Sequence, residues 1–223
     1  MRMMILKALS ALGGLLLLAG CTTPVQPYDY TAYHTSNPAS VLILPPVNHS
    51  PDVKASYSVL THLSQPLAMA GYYVLPVAVV DETFKHNGLT TPESIQEVPA
   101  NKLHAIFGSD AALYVTIEQY GTSYRVFQSA TAVTVTARLV DLRTGTLLWD
   151  GKGSASTAEK QSTNTSLLGM LVQAAVTQVA ESMQESGHDV AKTAGARLLN
   201  PYRTNGILPG PYLPTNGKDK PTS

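Results

Sequence analysis

The chain has 223 residues with 15 basic and 15 acidic side chains, so its formal net charge is zero. That balance lacks the basic excess of nucleic-acid-binding proteins, and we expect no nucleic-acid partner. Cys21 is the single cysteine, which excludes an internal disulfide and a cysteine-rich metal site. The length suits one domain, with or without tails.

The first element is a short basic and then apolar segment at the N-terminus. Arg2 and Lys7 supply its positive charge, and residues 5–19 supply its apolar stretch. The stretch is short for a membrane-spanning helix, which needs about 20 apolar residues, but it fits a secretory signal. It ends in Leu18, Ala19, Gly20 and Cys21, the arrangement of a bacterial lipoprotein signal. We therefore predict a signal peptide over residues 1–20; the alternative is an ordinary secretory signal with a cysteine there by chance.

Cleavage after Gly20 would make Cys21 the first residue of the mature chain, with diacylglycerol on its thiol. Two acyl chains hold a protein stably on membrane lipid, at about 0.8 kcal/mol per buried CH₂. Thr22 follows the cysteine, at a position where aspartate favours inner-membrane retention in enteric-type bacteria. We therefore expect an outer-membrane location, with the domain facing the periplasm or the cell surface.

The segment after the predicted cleavage point, residues 21–39, has the composition of a tether. It is rich in Pro, Thr, Ser and Tyr and poor in aliphatic side chains. Tyr28, Tyr30 and Tyr33 are unusual in such a segment. They indicate either an arm that docks on its own domain or a contact with a partner or with the membrane interface.

Alternating strand and helix patterns begin the domain, which we place over residues 40–200. A continuous apolar run predicts a first strand at residues 41–44. Helical spacing over Ala55–Ala70 predicts a helix that Pro66 kinks or locally interrupts. The expected elements after it are a strand at Tyr72–Val77 and helices at Val79–Lys85, from Thr91, and at Ala100–Phe107.

Three strands and the longest helix complete the predicted domain. The strands are expected at Ala111–Tyr120, Ala132–Leu142 and Thr146–Ala155, and Gly121–Gln128 is either a loop or a continuing strand. Gly151 and Gly153 indicate a bulge or a close approach by another chain element. An apolar stripe predicts a helix over Thr163–Glu185 that ends at Gly187, followed by a shorter helix at Val190–Leu199. Residues 201–223 are rich in Pro, Gly and Asn and are expected to form a flexible tail.

The order of these elements predicts an α/β fold in one domain. A helix joins the first two strands, so we expect them to be parallel with a right-handed crossover. The later strands follow one another through tight turns, so we expect them to be antiparallel. The result is a mixed parallel and antiparallel sheet with helices packed on it.

The side chains that carry catalysis are sparse in this sequence. The six histidines have no i, i+3 or i, i+4 pair among them, and Cys21 is assigned to lipid. Asp81 and Glu82 are adjacent, so they point to different faces and do not form a general acid/base pair. We expect no catalytic residue, no metal site and no cofactor.

Three stretches are candidate partner-binding surfaces because they combine aromatic residues with turn-rich loops. They comprise Tyr28, Tyr30 and Tyr33, the loop from Asn48 to Val53, and the stretch from Tyr120 to Tyr124. Local packing is the alternative for each.

Several motifs together resemble a family of bacterial lipoproteins of unknown function that includes a meningococcal surface-antigen candidate. The similarity runs densely from about Cys21 to Ala155. The residues that carry it are Tyr28–Tyr33, Pro45–Asn48, Ser56–Ser58, Pro66–Ala68, Gly71–Val77, Val79–Phe84, Ile106–Ala111 and Leu139–Trp149.

This resemblance implies a domain like the N-terminal domain of TolB, a homodimer, and a setting beside a lipoprotein similar to the curli-secretion pore. It supplies no catalytic residues. The hairpin Asp141–Trp149 also resembles one in periplasmic lipoproteins that activate penicillin-binding proteins, although a hairpin alone does not identify a function.

The function we predict is that of a non-catalytic, lipid-anchored outer-membrane lipoprotein that docks other envelope proteins in a secretion or assembly system. The alternative is an activator or binding module for a penicillin-binding protein or peptidoglycan. An enzyme acting on envelope lipid or glycan is a third hypothesis. The expected partners are membrane lipid through Cys21, a second copy of the chain, and an envelope protein such as a curli-pore-like lipoprotein.

Overall fold

A computed structural model of the chain describes residues 26–125, 128–161 and 180–213. The helices are α1 (Thr31–Ser36), α2 (Ala55–Leu60), α3 (Ser64–Met69), α4 (Val77–His86), α5 (Pro92–Gln96), α6 (Ala100–Phe107), α7 (Ala158–Gln161) and α8 (Ala180–Leu198). The strands are β1 (Ser40–Ile43), β2 (Val47–Asn48), β3 (Tyr73–Val74), β4 (Ala111–Arg125), β5 (Gln128–Asp141) and β6 (Leu147–Ser156).

One mixed sheet carries the fold, in the strand order β3-β1-β4-β5-β6, with β2 also paired to β4. The β1 strand is parallel to β3 and to β4, because helices connect these strands. The β4, β5 and β6 strands are antiparallel and follow one another in the chain. This arrangement confirms the predicted α/β fold with a mixed sheet.

Helices pack on both faces of the sheet, so the core has two parts. Alternate residues of β1 point to opposite sides: Val41 and Ile43 enter one cluster, and Leu42 enters the other. The larger cluster lies between the sheet and α2, α3 and α8, and the smaller lies under α4, α5 and α6. This two-sided burial explains why β1 is a continuous apolar run.

The tight turn between β5 and β6 is stabilised by a buried carboxylate. Asp141 is 2 % exposed, and its Oδ1 accepts hydrogen bonds from the backbone N–H groups of Arg143 and Thr144, at 2.8 Å each. Ser36 Oγ donates to its Oδ2. Burial disfavours ionisation of Asp141, but these hydrogen bonds outweigh burial and hold its pKa below the usual range. Gly145 adopts a φ of +74°, which the turn requires.

The helix expected over Ala55–Ala70 is two helices, α2 and α3, separated by a turn at residues 61–63. Proline has no N–H for an internal helical hydrogen bond, so it is tolerated only in the first turn of a helix. The break places Pro66 in the first turn of α3. The proline therefore interrupts the helix upstream of its own position. The following strand is also shorter than expected, since only Tyr73 and Val74 pair with β1.

The prediction that Gly187 ends a helix is wrong, because α8 runs through it without interruption. Gly187 is needed there for space: a Cβ atom would lie 2.9 Å from Oη of Tyr120. The separate helix predicted at Val190–Leu199 is the second half of α8. Residues 163–179 of the expected long helix lie outside the described residues.

Of the two glycines of β6, Gly153 marks a close approach by another chain element, as one of the two predicted alternatives states, whereas Gly151 makes room for a side chain of its own strand. A Cβ on Gly153 would lie 2.3 Å from the backbone oxygen of Ala194, so α8 crosses the sheet at this point. A Cβ on Gly151 would lie 2.3 Å from the ring of Trp149. The bulge in the β5–β6 pairing is elsewhere, between Leu139 and Val140.

The stretch that we call the C-terminal segment, residues 204–213, packs on the domain, although the sequence predicts a flexible tail from Pro201. Ile207 is fully buried in the larger core cluster. Gly210 N–H donates to Ala70 O at 2.8 Å, and Tyr212 N–H donates to Gly71 O at 2.9 Å. Backbone hydrogen bonds and one apolar anchor hold a stretch whose Pro/Gly content by itself favours disorder.

Candidate functional site

The stretch that we call the N-terminal arm, residues 26–36, contacts the C-terminal segment through its tyrosines. Tyr30 Oη donates to Gly206 O at 2.5 Å, and Tyr33 Oη donates to Leu208 O at 3.3 Å. The rings of Tyr28 and Tyr30 lie with centroids 4.9 Å apart. The arm and the C-terminal segment therefore form one unit at the β6 side of the domain.

These tyrosine hydroxyls are engaged within the protein. Tyr33 is 4 % exposed, and burial raises its pKa. Burial and the hydrogen bond from Tyr28 Oη to Asp150 Oδ1, 3.1 Å, raise the pKa of Tyr28 to about 12. Of the two interpretations of these tyrosines, docking on their own domain is the one that the structure shows.

Asn205 joins the arm to the core of the domain. Its side chain accepts from Tyr28 N–H at 3.0 Å and donates to Gln26 O at 2.9 Å. Its backbone oxygen accepts from Nε1 of the buried Trp149 at 3.0 Å. Sequence reasoning missed this residue; the neighbouring pair Ile207 and Leu208 is the apolar signal by which the segment could have been found.

The loop that begins at Asn48 is shaped by its own side chains. Asn48 Nδ2 donates to Asp52 O at 2.7 Å, and Asn48 Oδ1 accepts from Ser50 N–H and Oγ at 3.0 and 2.7 Å. Asp52 Oδ1 accepts from Lys54 N–H at 2.9 Å. The side chain of Asn48 therefore forms hydrogen bonds within its own loop.

The structure brings this loop beside the start of the third predicted surface. An open cavity of about 580 Å³, which we call the loop–ribbon cleft, separates the loop from the projecting end of β4. Its lining residues are Pro51, Asp52, Val53, Gln119, Tyr120, Gly121 and Thr122. Val53 is the most exposed apolar residue there, at 84 %. The Asn48–Val53 loop and Tyr120 thus share one surface, which the sequence had treated as two.

Tyr120 forms the inner wall of this cleft. It is 8 % exposed, and its Oη donates to Ser58 Oγ at 2.9 Å. Ser58 Oγ in turn lies 3.0 Å from Nδ1 of His188. Tyr120 therefore serves mainly to pack β4 against α2 and α8. The side chain of Tyr124 lies outside the described part of the structure.

A second cavity of about 360 Å³ lies between α3 and α8 and is mostly apolar; we call it the α3–α8 groove. Its lining residues are His62, Gln65, Pro66, Met69, Ala70, Lys192, Ala196, Leu199, Asn200, Pro201 and Tyr202. His62 Nε2 is buried without a hydrogen-bond partner among the described residues. Burial and the neighbouring His188 and Lys192 lower the pKa of His62.

The adjacent carboxylates Asp81 and Glu82 are used within their own helix. Asp81 pairs with Lys85 at 2.5 Å, and Glu82 pairs with His86 at 3.2 Å, each four residues along α4. In the described ranges, no group of three or more His, Cys, Asp or Glu side chains is placed to hold a metal ion. None of the helices in those ranges combines the length and apolar character needed to cross a bilayer.

Two arginine side chains donate hydrogen bonds to backbone oxygens on the edge of strand β6. Arg197 Nη1 donates to Ser154 O at 2.8 Å, and Arg203 Nη1 donates to Lys152 O at 3.0 Å. An exposed strand edge is a site for pairing with another chain, and such charged side chains prevent it. These two hydrogen bonds disfavour extension of the sheet by a second copy along this stretch of β6.

Comparison with known proteins identifies the family. The family model described as "Putative lipoprotein GNA1162-like" matches residues 28–212. "Putative lipoprotein NMB1124/NMB1162" of Neisseria meningitidis serogroup B (strain ATCC BAA-335 / MC58) is 50 % identical over 201 residues, which are 90 % of this chain and 93 % of that protein.

The solved structure of a relative agrees with this match. The crystal structure of lipoprotein GNA1162 from Neisseria meningitidis is 49 % identical and covers 65 % of this chain and 99 % of its own, with a TM-score of 0.52. A PelC dodecamer from Paraburkholderia phytofirmans is 16 % identical over 74 % of this chain and 89 % of its own, with a TM-score of 0.46. The family resemblance drawn from the sequence motifs is thus confirmed: the chain belongs to the GNA1162-like lipoprotein family.

Proposed function

We propose that this protein is a non-catalytic lipoprotein, anchored in the outer membrane through Cys21, that docks another envelope protein at the loop–ribbon cleft. Membership of a lipoprotein family supports the anchor. So does the run of Leu18, Ala19, Gly20 and Cys21 at the end of the apolar N-terminal stretch. Cleavage after Gly20 and acylation of Cys21, including palmitate, are part of this proposal.

The observation that carries the docking role is the meeting of two separate chain segments at one open cleft. The Asn48–Val53 loop is held in shape by hydrogen bonds within it, so it presents a preformed surface. The opposite wall is β4, which pairs with β5 on both sides of a register shift between Ile117 and Gln119. Val53 gives this surface an exposed apolar side chain beside polar neighbours, available for contact with a partner.

The chemistry of the cleft supports a binding role and not a catalytic one. Asp52 is the single carboxylate in its lining, and its Oδ1 is engaged by Lys54 N–H. The lining places no histidine, cysteine, lysine or second carboxylate beside Asp52, and Tyr120 Oη is engaged by Ser58 Oγ.

The partner we propose is an envelope protein of a secretion or assembly system, such as a pore-forming lipoprotein of the curli-secretion type. A second copy of the chain is also proposed to associate through a surface other than the arginine-closed edge of β6. A penicillin-binding protein or peptidoglycan is the alternative ligand.

Site-specific photocrosslinking in cells tests this function. A benzophenone amino acid replaces Val53 in the cleft and, as the matched control, Ile106, which is 54 % exposed on α6 on the opposite face of the sheet. We expect an adduct with one envelope protein at Val53 and none at Ile106. Equal labelling at both positions, or none at either, would contradict docking at the cleft, and an adduct with a penicillin-binding protein would establish the alternative.

The anchor is tested separately with Cys21→Ala. We expect the variant to remain an uncleaved precursor that incorporates no radiolabelled palmitate. Normal processing of this variant would refute the lipoprotein assignment of residues 18–21. The photocrosslinking result at Val53 would still decide whether the cleft binds a partner.

A further inference from the structure

The point at which the chain leaves the domain toward its anchor is close to the α3–α8 groove. Gln26 O is held by Asn205 Nδ2 at 2.9 Å, and Asn205 is only three residues after Tyr202, which lines the groove. Three residues of chain span at most about 11 Å. The exit point and this end of the groove therefore lie on the same side of the molecule.

The stretch of chain between Cys21 and the docked arm is much shorter than the tether that the sequence suggests. The arm docks on the domain from Gln26 onward, so five residue steps separate it from Cys21. Five steps of extended chain span at most about 18 Å. A bilayer that holds the acyl chains of Cys21 must then lie within that distance of Gln26.

The side of the domain near this exit carries several exposed apolar and aromatic side chains. Met69 is 70 % exposed, Tyr202 is 80 % exposed and Tyr212 is 66 % exposed. Tyr212 lies beside the turn that follows Met69, because Tyr212 N–H donates to the backbone oxygen of Gly71. We call these three residues, with Lys192, the anchor-side face.

The charge and chemistry of this face fit a lipid surface. Lys192 is exposed at the rim of the groove, and the groove lining contains no carboxylate. Tyrosine and lysine side chains that present an apolar body and a polar end are typical of the membrane–water interface.

We propose that the anchor-side face docks on the headgroup region of the bilayer that carries the anchor, with the α3–α8 groove turned toward the lipid. The proposal rests on the lipid anchor of the proposed function. It orients the domain, because the helices α4 and α6 on the opposite face of the sheet then point away from the membrane.

The test uses the acylated full-length mature protein in phosphatidylethanolamine–phosphatidylglycerol vesicles. Acylated Cys21 cannot react with a thiol probe, so one new cysteine carries an environment-sensitive fluorophore in each variant. The variants on the anchor-side face are Tyr202→Cys and Tyr212→Cys. The matched controls are Val79→Cys, 61 % exposed on α4, and Ile106→Cys, 54 % exposed on α6.

We expect the emission of the fluorophore at Tyr202 and Tyr212 to shift to the blue when vesicles are present, with no shift at the two controls. Lys192→Glu should reduce the shift. The proposal would be overturned if vesicles shifted the emission at none of the four positions while the protein still floated with them. That result would leave the lipid anchor supported. Failure to float would instead refute the anchor itself. A blue shift without vesicles would also overturn the proposal, since a second copy would then cover the face.

Discussion

Replacing Ile207 by alanine is the most direct test of the docked C-terminal segment. Ile207 is fully buried in the larger core cluster, together with Trp149 and Tyr33. If residues 204–213 formed a flexible tail, truncating this side chain would leave the stability of the domain unchanged. If the segment is packed as the structure shows, the substitution opens a cavity in the core.

The magnitude follows from the atoms removed. Alanine lacks three of the carbon atoms of isoleucine, and at about 0.8 kcal/mol per buried carbon their transfer costs roughly 2.4 kcal/mol. The cavity left behind adds to this cost, so we expect the free energy of unfolding to fall by about 3 kcal/mol. With a slope of about 2 kcal/mol per molar urea, the unfolding midpoint falls by about 1.5 M.

Urea unfolding followed by tryptophan fluorescence measures this change, because the chain contains one tryptophan. Trp149 is buried and donates to Asn205 O, so it reports directly on the segment. The matched control is Tyr202→Ala, at a site 80 % exposed three residues before Asn205, where the expected change is within about 0.5 kcal/mol. A midpoint for Ile207→Ala within error of that control would refute the packing of the segment.

Three further predictions concern the core and the pH dependence of stability. Gly153→Val should destabilise the domain by about 1–3 kcal/mol, because its Cβ would lie 2.3 Å from the backbone of α8. Gly195→Ala should be neutral or stabilising, since its Cβ would lie 3.4 Å or more from its neighbours. Thermal denaturation of the two variants compares these effects. Folding lowers the pKa of Asp141 from 3.8, so its contribution to stability is complete above that pH and is lost as the pH falls through the lower folded value. Asp141→Asn should lower the free energy of unfolding by about 1–3 kcal/mol at pH 7 and make it depend less on pH in acid. Folding raises the pKa of Tyr28 from 10.0 to about 12, so its contribution to stability is complete below pH 10 and is lost between these values. Tyr28→Phe should make the fall of the urea midpoint from pH 8 to pH 12 smaller, and part of that fall should remain because burial also raises the pKa of Tyr30, Tyr33 and Tyr114.

Local patterns in the sequence predicted most of the elements. Thr91 and Pro92 marked the start of α5, and the structure shows Thr91 accepting from Ser94 N–H at 3.4 Å. Gly108 ends α6 with a φ of +66°, as a helix-terminating glycine does. These signals are reliable because the residues that carry them act on their immediate neighbours.

Glycines were ambiguous for a physical reason. A glycine marks either a backbone conformation that other residues avoid or a place with no room for a side chain. Gly108 is of the first kind, whereas Gly187 and Gly153 are of the second, beside Tyr120 and α8. The second kind depends on residues distant in the chain, so a sequence pattern cannot separate the two.

The candidate surfaces were predicted as separate stretches, and only their positions in space decided which belong together. The Asn48–Val53 loop and Tyr120 meet because β2 pairs in parallel with β4. Tyr28, Tyr30 and Tyr33 lie instead against the C-terminal segment, more than 170 residues away along the chain.

The sequence by itself determined the features carried by residues close together in the chain: the order of strands and helices, from which the mixed α/β class follows, the tight turn at Gly145 and the family motifs. The tertiary structure alone decided the features that depend on distant contacts: the docking of residues 204–213, the uninterrupted course of α8 through Gly187, and the loop–ribbon cleft. The physical reason is that hydrogen-bonded turns and caps form from adjacent residues. Burial of Ile207 and the crossing at Gly153 exist only once the chain has folded back on itself.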